Sequence, residues 1–174
     1  MLISSLDASS RGVNVVETIE ETRADVHERA AKIISSSVRW SAAAGAVPLP
    51  FLDLVALGAV QANMISDLSQ TYGRQVSAEA ARGIVSVMLG TLLPAGVTGA
   101  LLGSGYKTIP VAGTVLGMVS MATFGAAASY AIGKVFVRHF EKGGTLQNFS
   151  AEAVKDDLIA EFSRAKDKQS AAVT

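Results

Sequence analysis

Residues 83–133 read GIVSVMLGTLLPAGVTGALLGSGYKTIPVAGTVLGMVSMATFGAAASYAIG, and they decide what kind of protein this is. From Gly83 to Tyr106 there are 24 residues without a charge, Lys107 interrupts, and Thr108 to Gly133 adds another 26. Each run exceeds the roughly 20 residues that a helix needs to cross a bilayer core. Neither run alternates polar and apolar residues as a half-buried strand would. Gly113, Gly117, Gly125, Ser129 and Gly133 lie on one i,i+4 row with Met121, and Ala95, Gly99 and Gly103 form a similar row upstream. A glycine inside a helix costs about 1 kcal/mol against alanine. A row of them therefore implies a compensating gain, and close approach of two backbones supplies one. Gly99, Gly103, Gly113, Gly117, Gly125 and Gly133 are accordingly read as a helix-packing interface.

Outward from this stretch, helix breakers place the other elements. Val47-Pro48-Leu49-Pro50 ends one helix, because each proline disfavours the α region in its predecessor. Pro50 can open the next helix, which Gly73 stops near Tyr72. Ser77 is placed to cap a helix from about Ala78, with Glu79 in its first turn. Pro94 should kink that helix, and Gly103-Ser104-Gly105 ends it. Ile109-Pro110 opens the last long helix, to about Phe140. Residues 1–13 read as a polar lead-in. From Asn14 to Arg39 the apolar residues Val16, Ile19, Val26, Ala30 and Ile33 form a helical stripe. After Gly143-Gly144, Ser150 reads as an N-cap, and Val154, Leu158, Ile159 and Phe162 form a C-terminal amphipathic helix over 145–166. A frayed tail over 167–174 follows. The expected fold is all-α: about five helices, two long Gly/Ala-rich central helices forming an antiparallel hairpin, and amphipathic helices at both ends of a 14–142 domain.

The 15 basic and 15 acidic side chains cancel, but they are segregated. Residues 1–39 carry 11, residues 134–174 carry 13, and only 6 fall in the 94 residues between. No segment is basic enough for a nucleic-acid footprint. The absence of cysteine excludes disulfides, thiolate metal sites and cysteine nucleophiles. The first residues lack the charged and apolar regions of a secretory signal. The uncharged middle must be hidden from water, by lipid or by other helices. Length, absence of charge and small-residue rows favour lipid. The Ala/Gly/Ser/Thr content, which lowers insertion energy, favours a soluble bundle. If the hairpin inserts, Arg74, Arg82, Lys134, Arg138 and Lys142 at its ends put both termini on the cytoplasmic side of a bacterial inner membrane.

The run Val47-Pro48-Leu49-Pro50-Phe51-Leu52-Asp53-Leu54, then Gln61, Met64-Ile65, Leu68 and Tyr72-Gly73, resembles the bacterial domain-of-unknown-function family numbered 697, the YcjF-like proteins. Ile109-Pro110-Val111-Ala112-Gly113, Tyr130-Ala131-Ile132-Gly133 and Phe136 fit the same family, over roughly residues 28–141. The second proline block departs from the family's Pro-Gly-x-Gly, and EcsC-like proteins are a weaker likeness. The resemblance implies an all-helical, membrane-associated module that works with a GTPase and has no known catalysis. The chain lacks a phosphate loop ending in Gly-Lys-Ser/Thr, so such a GTPase acts in trans.

No nucleophile–base or metal-ligand spacing is present, and no enzyme activity, cofactor or metal is expected. His27 reads as a solvated residue and His139 as a cation at a helix end. Asp53, in the most apolar setting of any charge, reads either as a helix N-terminal acid or as a buried switch or partner contact for Arg39 or Arg82. Trp40 and Tyr106 sit at the edges of apolar segments, where interfacial aromatics belong. The expected function is a non-enzymatic membrane-associated module that binds a GTPase and self-associates through glycine-rich faces. The alternative is a soluble helical-bundle adaptor or oligomeric structural protein.

Overall fold

The computed structural model describes the backbone of residues 4–45, 52–102 and 110–172, and the side chains of 15–44, 55–94 and 121–169. Among the described residues there are five α-helices and no strand: α1 Ser4–Gly45, α2 Leu52–Thr71, α3 Ala78–Leu102, α4 Pro110–Glu141 and α5 Lys155–Ala172. A 3₁₀ turn, Leu146–Asn148, precedes α5. The punctuation residues act as their chemistry requires. Gly73 and Gly143 adopt φ of +65° and +81°, left-handed conformations that end α2 and α4 at little cost. The Ser77 hydroxyl accepts a hydrogen bond from the Ala80 amide (3.2 Å) and caps α3. Pro94 is accommodated inside α3.

Two boundaries differ from the sequence reading. α1 begins at Ser4, so most of the lead-in is helical. α5 runs from Lys155 to Ala172 and includes much of the expected tail. Ser150 accepts a hydrogen bond from the Ala153 amide (3.3 Å), but it shapes a turn ahead of α5.

α4 is the centre of the bundle. From Phe124 to Phe140 almost every residue is buried, with Tyr130, Lys134, Arg138 and His139 half-buried. Its principal neighbour is α1, then α5 and α2, with a smaller contact to α3. Over the described side chains of α4, from residue 121 onward, the main neighbour is α1 and not α3. The small-residue row shows why. A methyl group at Gly125 would lie 2.8 Å from the Ser41 carbonyl oxygen, and one at Gly133 would lie 2.7 Å from Ile34 Cγ1. These contacts make α1 and α4 antiparallel. The 121–133 half of the uncharged run is therefore covered by helices of the same chain, and of those helices α1 and α5 carry most of the charge.

Packing around α4 is aliphatic at one end and aromatic at the other. Met64, Ile65 and Leu68 of α2 and Val85, Met88 and Leu92 of α3 are fully buried. Phe136 stacks on Phe149 at 4.5 Å and lies 5.6 Å from Phe140, which in turn lies 6.0 Å from Tyr72. Phe124 meets Phe162 of α5 edge-on at 5.4 Å. His139 holds the connecting turn, its Nε2 2.9 Å from the Thr145 carbonyl oxygen and its ring edge-on to Phe149.

Candidate interaction surfaces

Three features of this bundle bear on function. The first is a polar network inside the core. Gln61 Nε2 donates to Ser129 Oγ (2.6 Å), and the Ser129 hydroxyl donates to Ser41 Oγ (2.6 Å). All three side chains are fully buried, and they join α2, α4 and α1. Among the described residues, Gln61 Oε1 has no hydrogen-bond partner. A buried polar network of this kind fixes the relative positions of three helices. Sequence reasoning noted Ser129 only as a small residue and Gln61 only as part of a family motif.

The second feature is a groove of about 810 Å³ between α1 and α4. Ala31, Ile34 and Val38 of α1 and Val137 of α4 form its floor, and Arg39 and Lys134 stand on its rim. A smaller depression of about 210 Å³ continues it from Val38 and Tyr130 to Arg164 and Lys168 of α5. Arg138 and Arg164 both reach the buried carboxylate of Glu161, at 3.2 and 3.6 Å. Among the described residues, Arg39, Lys134 and Lys168 have no carboxylate partner. The far end of the groove closes at Glu141, which lies 3.5 Å from His27 Nε2 and accepts a hydrogen bond from the Tyr72 hydroxyl (3.4 Å). Partial burial, then the negative charge of Glu141, push the Tyr72 hydroxyl up to about 12.

The third feature is the end of the bundle where α1 stops. With Ser41 on Gly125 and Ile34 on Gly133, the last residue of α1 falls near residue 121 of α4. The α4 backbone from 110 to 120 continues about 16 Å past that level, at 1.5 Å per residue. At the same end Trp40 is 67% exposed and Val55, in the first turn of α2, is 70% exposed. Among the described residues, these are the large apolar side chains left exposed at this end.

Of the residues singled out from sequence, Gly125 and Gly133 face α1 within one chain. Gly99, Gly113 and Gly117 belong to α3 and α4, but their surroundings lie outside the described residues, as does Gly103 altogether. Asp53 is the second residue of α2, and its side chain also lies outside them. Arg39 lies on the groove and Arg82 is exposed on α3. Among the described residues, no group of His, Asp and Glu could hold a metal ion, and no helix is long and apolar enough to cross a membrane. The 95–120 segment and Lys107, central to the expected hairpin, lie outside the side chains described.

The described residues form an all-α bundle packed around α4, with a groove whose Arg39 and Lys134 have no carboxylate partner among them. The chain belongs to the family described as Domain of unknown function (DUF697), whose model matches residues 13–166. It is 36% identical over 137 residues to "Magnetosome membrane protein 22" of Magnetospirillum gryphiswaldense (strain DSM 6361 / JCM 21280 / NBRC 15271 / MSR-1), covering 79% of this chain and 70% of that protein. No solved structure matches the chain.

Proposed function

We propose that this protein is a non-enzymatic, membrane-associated helical module on the cytoplasmic face of a bacterial membrane, which meets the bilayer with the end of the bundle that carries Trp40, Val55 and the uncharged α3–α4 segments. The observation that carries this reading is the exposure of Trp40 and Val55 at the end where α4 runs on past α1. Tryptophan favours the lipid headgroup level, and an uncharged segment beyond it can enter lipid without desolvating a charge. The similarity to a magnetosome membrane protein supports membrane association in general. The family resemblance adds a GTPase partner acting in trans. Gly99, Gly103, Gly113 and Gly117 would then serve helix packing inside the bilayer or between copies.

The test is flotation with vesicles of phosphatidylcholine and phosphatidylglycerol, run beside a detergent-free supernatant. The protein is expected to float with lipid. A monodisperse species that stays at the bottom of the gradient with lipid present overturns the membrane reading. Pull-down of GTPases with and without GTP tests the partner, and nucleotide-independent or absent capture removes it. The soluble-adaptor reading draws on one specific observation, the burial of most of residues 124–137 by the chain's own helices, and a failed flotation would favour it.

A further inference from the structure

The two unpaired charge sets on this molecule complement each other. α1 extends past the end of α4: His27 is level with Glu141, the last residue of α4, and residues 15–25 are all exposed. This overhang carries Glu17, Glu20, Glu21 and Asp25 against one basic residue, Arg23. Asp25 is matched to Arg29 at 4.0 Å, but among the described residues Glu17, Glu20 and Glu21 have no cationic partner. The overhang also leaves Val15, Val16 and Ile19 between 56% and 58% exposed. Ile19 lines a depression of about 630 Å³ with Tyr72 and Phe140, while Glu17, Glu20 and Glu21 make the overhang acidic. The groove beside the other half of α1 is the opposite: an apolar floor with Arg39, Lys134 and Lys168 unpaired around it.

We propose that two copies of this chain pair through α1, the acidic overhang of each lying in the basic α1–α4 groove of the other. Glu17, Glu20, Ala24, His27, Ala31, Ser35 and Val38 recur at three- and four-residue spacing and so form one stripe along α1. Antiparallel pairing about a two-fold axis between His27 and Glu28 sets Ala24 against Ala31 of the second copy, and these small residues allow the helices to approach closely. Val16 and Glu17 then come level with Val38 and Arg39 of the second copy, and Glu20 and Glu21 approach its Lys134. Such an isologous contact satisfies both charge sets at once. A bilayer carrying anionic lipid is a poor occupant, because it would repel the overhang that the same face presents.

The test uses the full chain and two charge-reversed variants, measured by light scattering after size exclusion and by sedimentation. One variant is Glu17→Lys/Glu20→Lys/Glu21→Lys, and the other is Arg39→Glu/Lys134→Glu/Lys168→Glu. The wild type is expected to be a dimer at micromolar concentration whose dissociation rises with salt. Each variant alone is expected to be monomeric with unchanged helical circular dichroism. An equimolar mixture is expected to restore a dimer containing one copy of each, since every contact in it again joins opposite charges. A monomeric wild type overturns the proposal, as does a mixture that stays monomeric or variants that dimerise as well as the wild type. All three readouts are made without lipid, so their outcome is independent of flotation.

Discussion

Replacing Gly125 with leucine should remove about 3 kcal/mol of folding stability or more, the upper end of what overpacking a filled core costs. For a chain of this size that is a fall in Tm of roughly 6–12 °C, at 2–4 °C per kcal/mol. The reason lies in what a side chain there would meet. The Ser41 carbonyl oxygen lies 2.8 Å from a Cβ at this position, and Leu57 Cδ1 lies 3.4 Å from it. The first of these is a main-chain atom in the body of α1, so relief requires the whole helix to move off α4. Even Gly125→Ala should destabilise, although alanine is worth about 1 kcal/mol more than glycine in a helix interior. At Gly58, Gly83 and Gly90 nothing lies within 4 Å of a Cβ, and alanine there should raise stability by up to about 1 kcal/mol. Gly133→Ala falls between, because it presses on the side chain of Ile34. Thermal and denaturant unfolding of the five alanine variants and Gly125→Leu gives the order directly. A Gly125→Leu protein as stable as the wild type would mean that α1 does not sit on α4 in this register.

Phe136→Ala should cost about 3–5 kcal/mol, the range for deleting a fully buried phenylalanine. Phe136 is 0% exposed. Its ring stacks on Phe149 in the segment that leads to α5 and contacts Phe140 near the end of α4. Removing it leaves a cavity where the core meets the segment that leads to the C-terminal helix. The loss should therefore be accompanied by loosening of α5, seen as faster amide exchange at Leu158 and Phe162 than at Met64 or Leu68 on the opposite side of the core. Uniformly accelerated exchange would mean that the α5 connection depends on other contacts.

The fold class was legible because the signals were local and strong: proline and glycine breaks, caps, and long stretches without charge. Gly73, Ser77 and Gly143 do what their residue types predict, because turn and cap geometry depends on a few neighbouring atoms. Which helix lies against which was less legible. The row ending in Gly125 and Gly133 announces a close neighbour, but a glycine carries no mark of whose backbone approaches it. That neighbour is α1, about ninety residues away in sequence. The extent of α1 was underread for a related reason, since residues 4–13 lack the apolar periodicity by which a docked helix is recognised. The unpaired cations of the groove were not legible at all. Arg39, Lys134 and Lys168 come from three helices and share a surface only after folding.

The proposed membrane contact lies at the end of the bundle that carries the chain's single tryptophan, which reports on that end without a label. Trp40 is 67% exposed in the isolated chain, so its emission should be red and readily quenched by acrylamide. On titration with phosphatidylcholine–phosphatidylglycerol vesicles the emission should shift to the blue and acrylamide quenching should fall, as the indole enters the headgroup level. Unchanged emission and unchanged quenching at a lipid concentration where the protein floats would contradict the account, placing membrane contact on a different face.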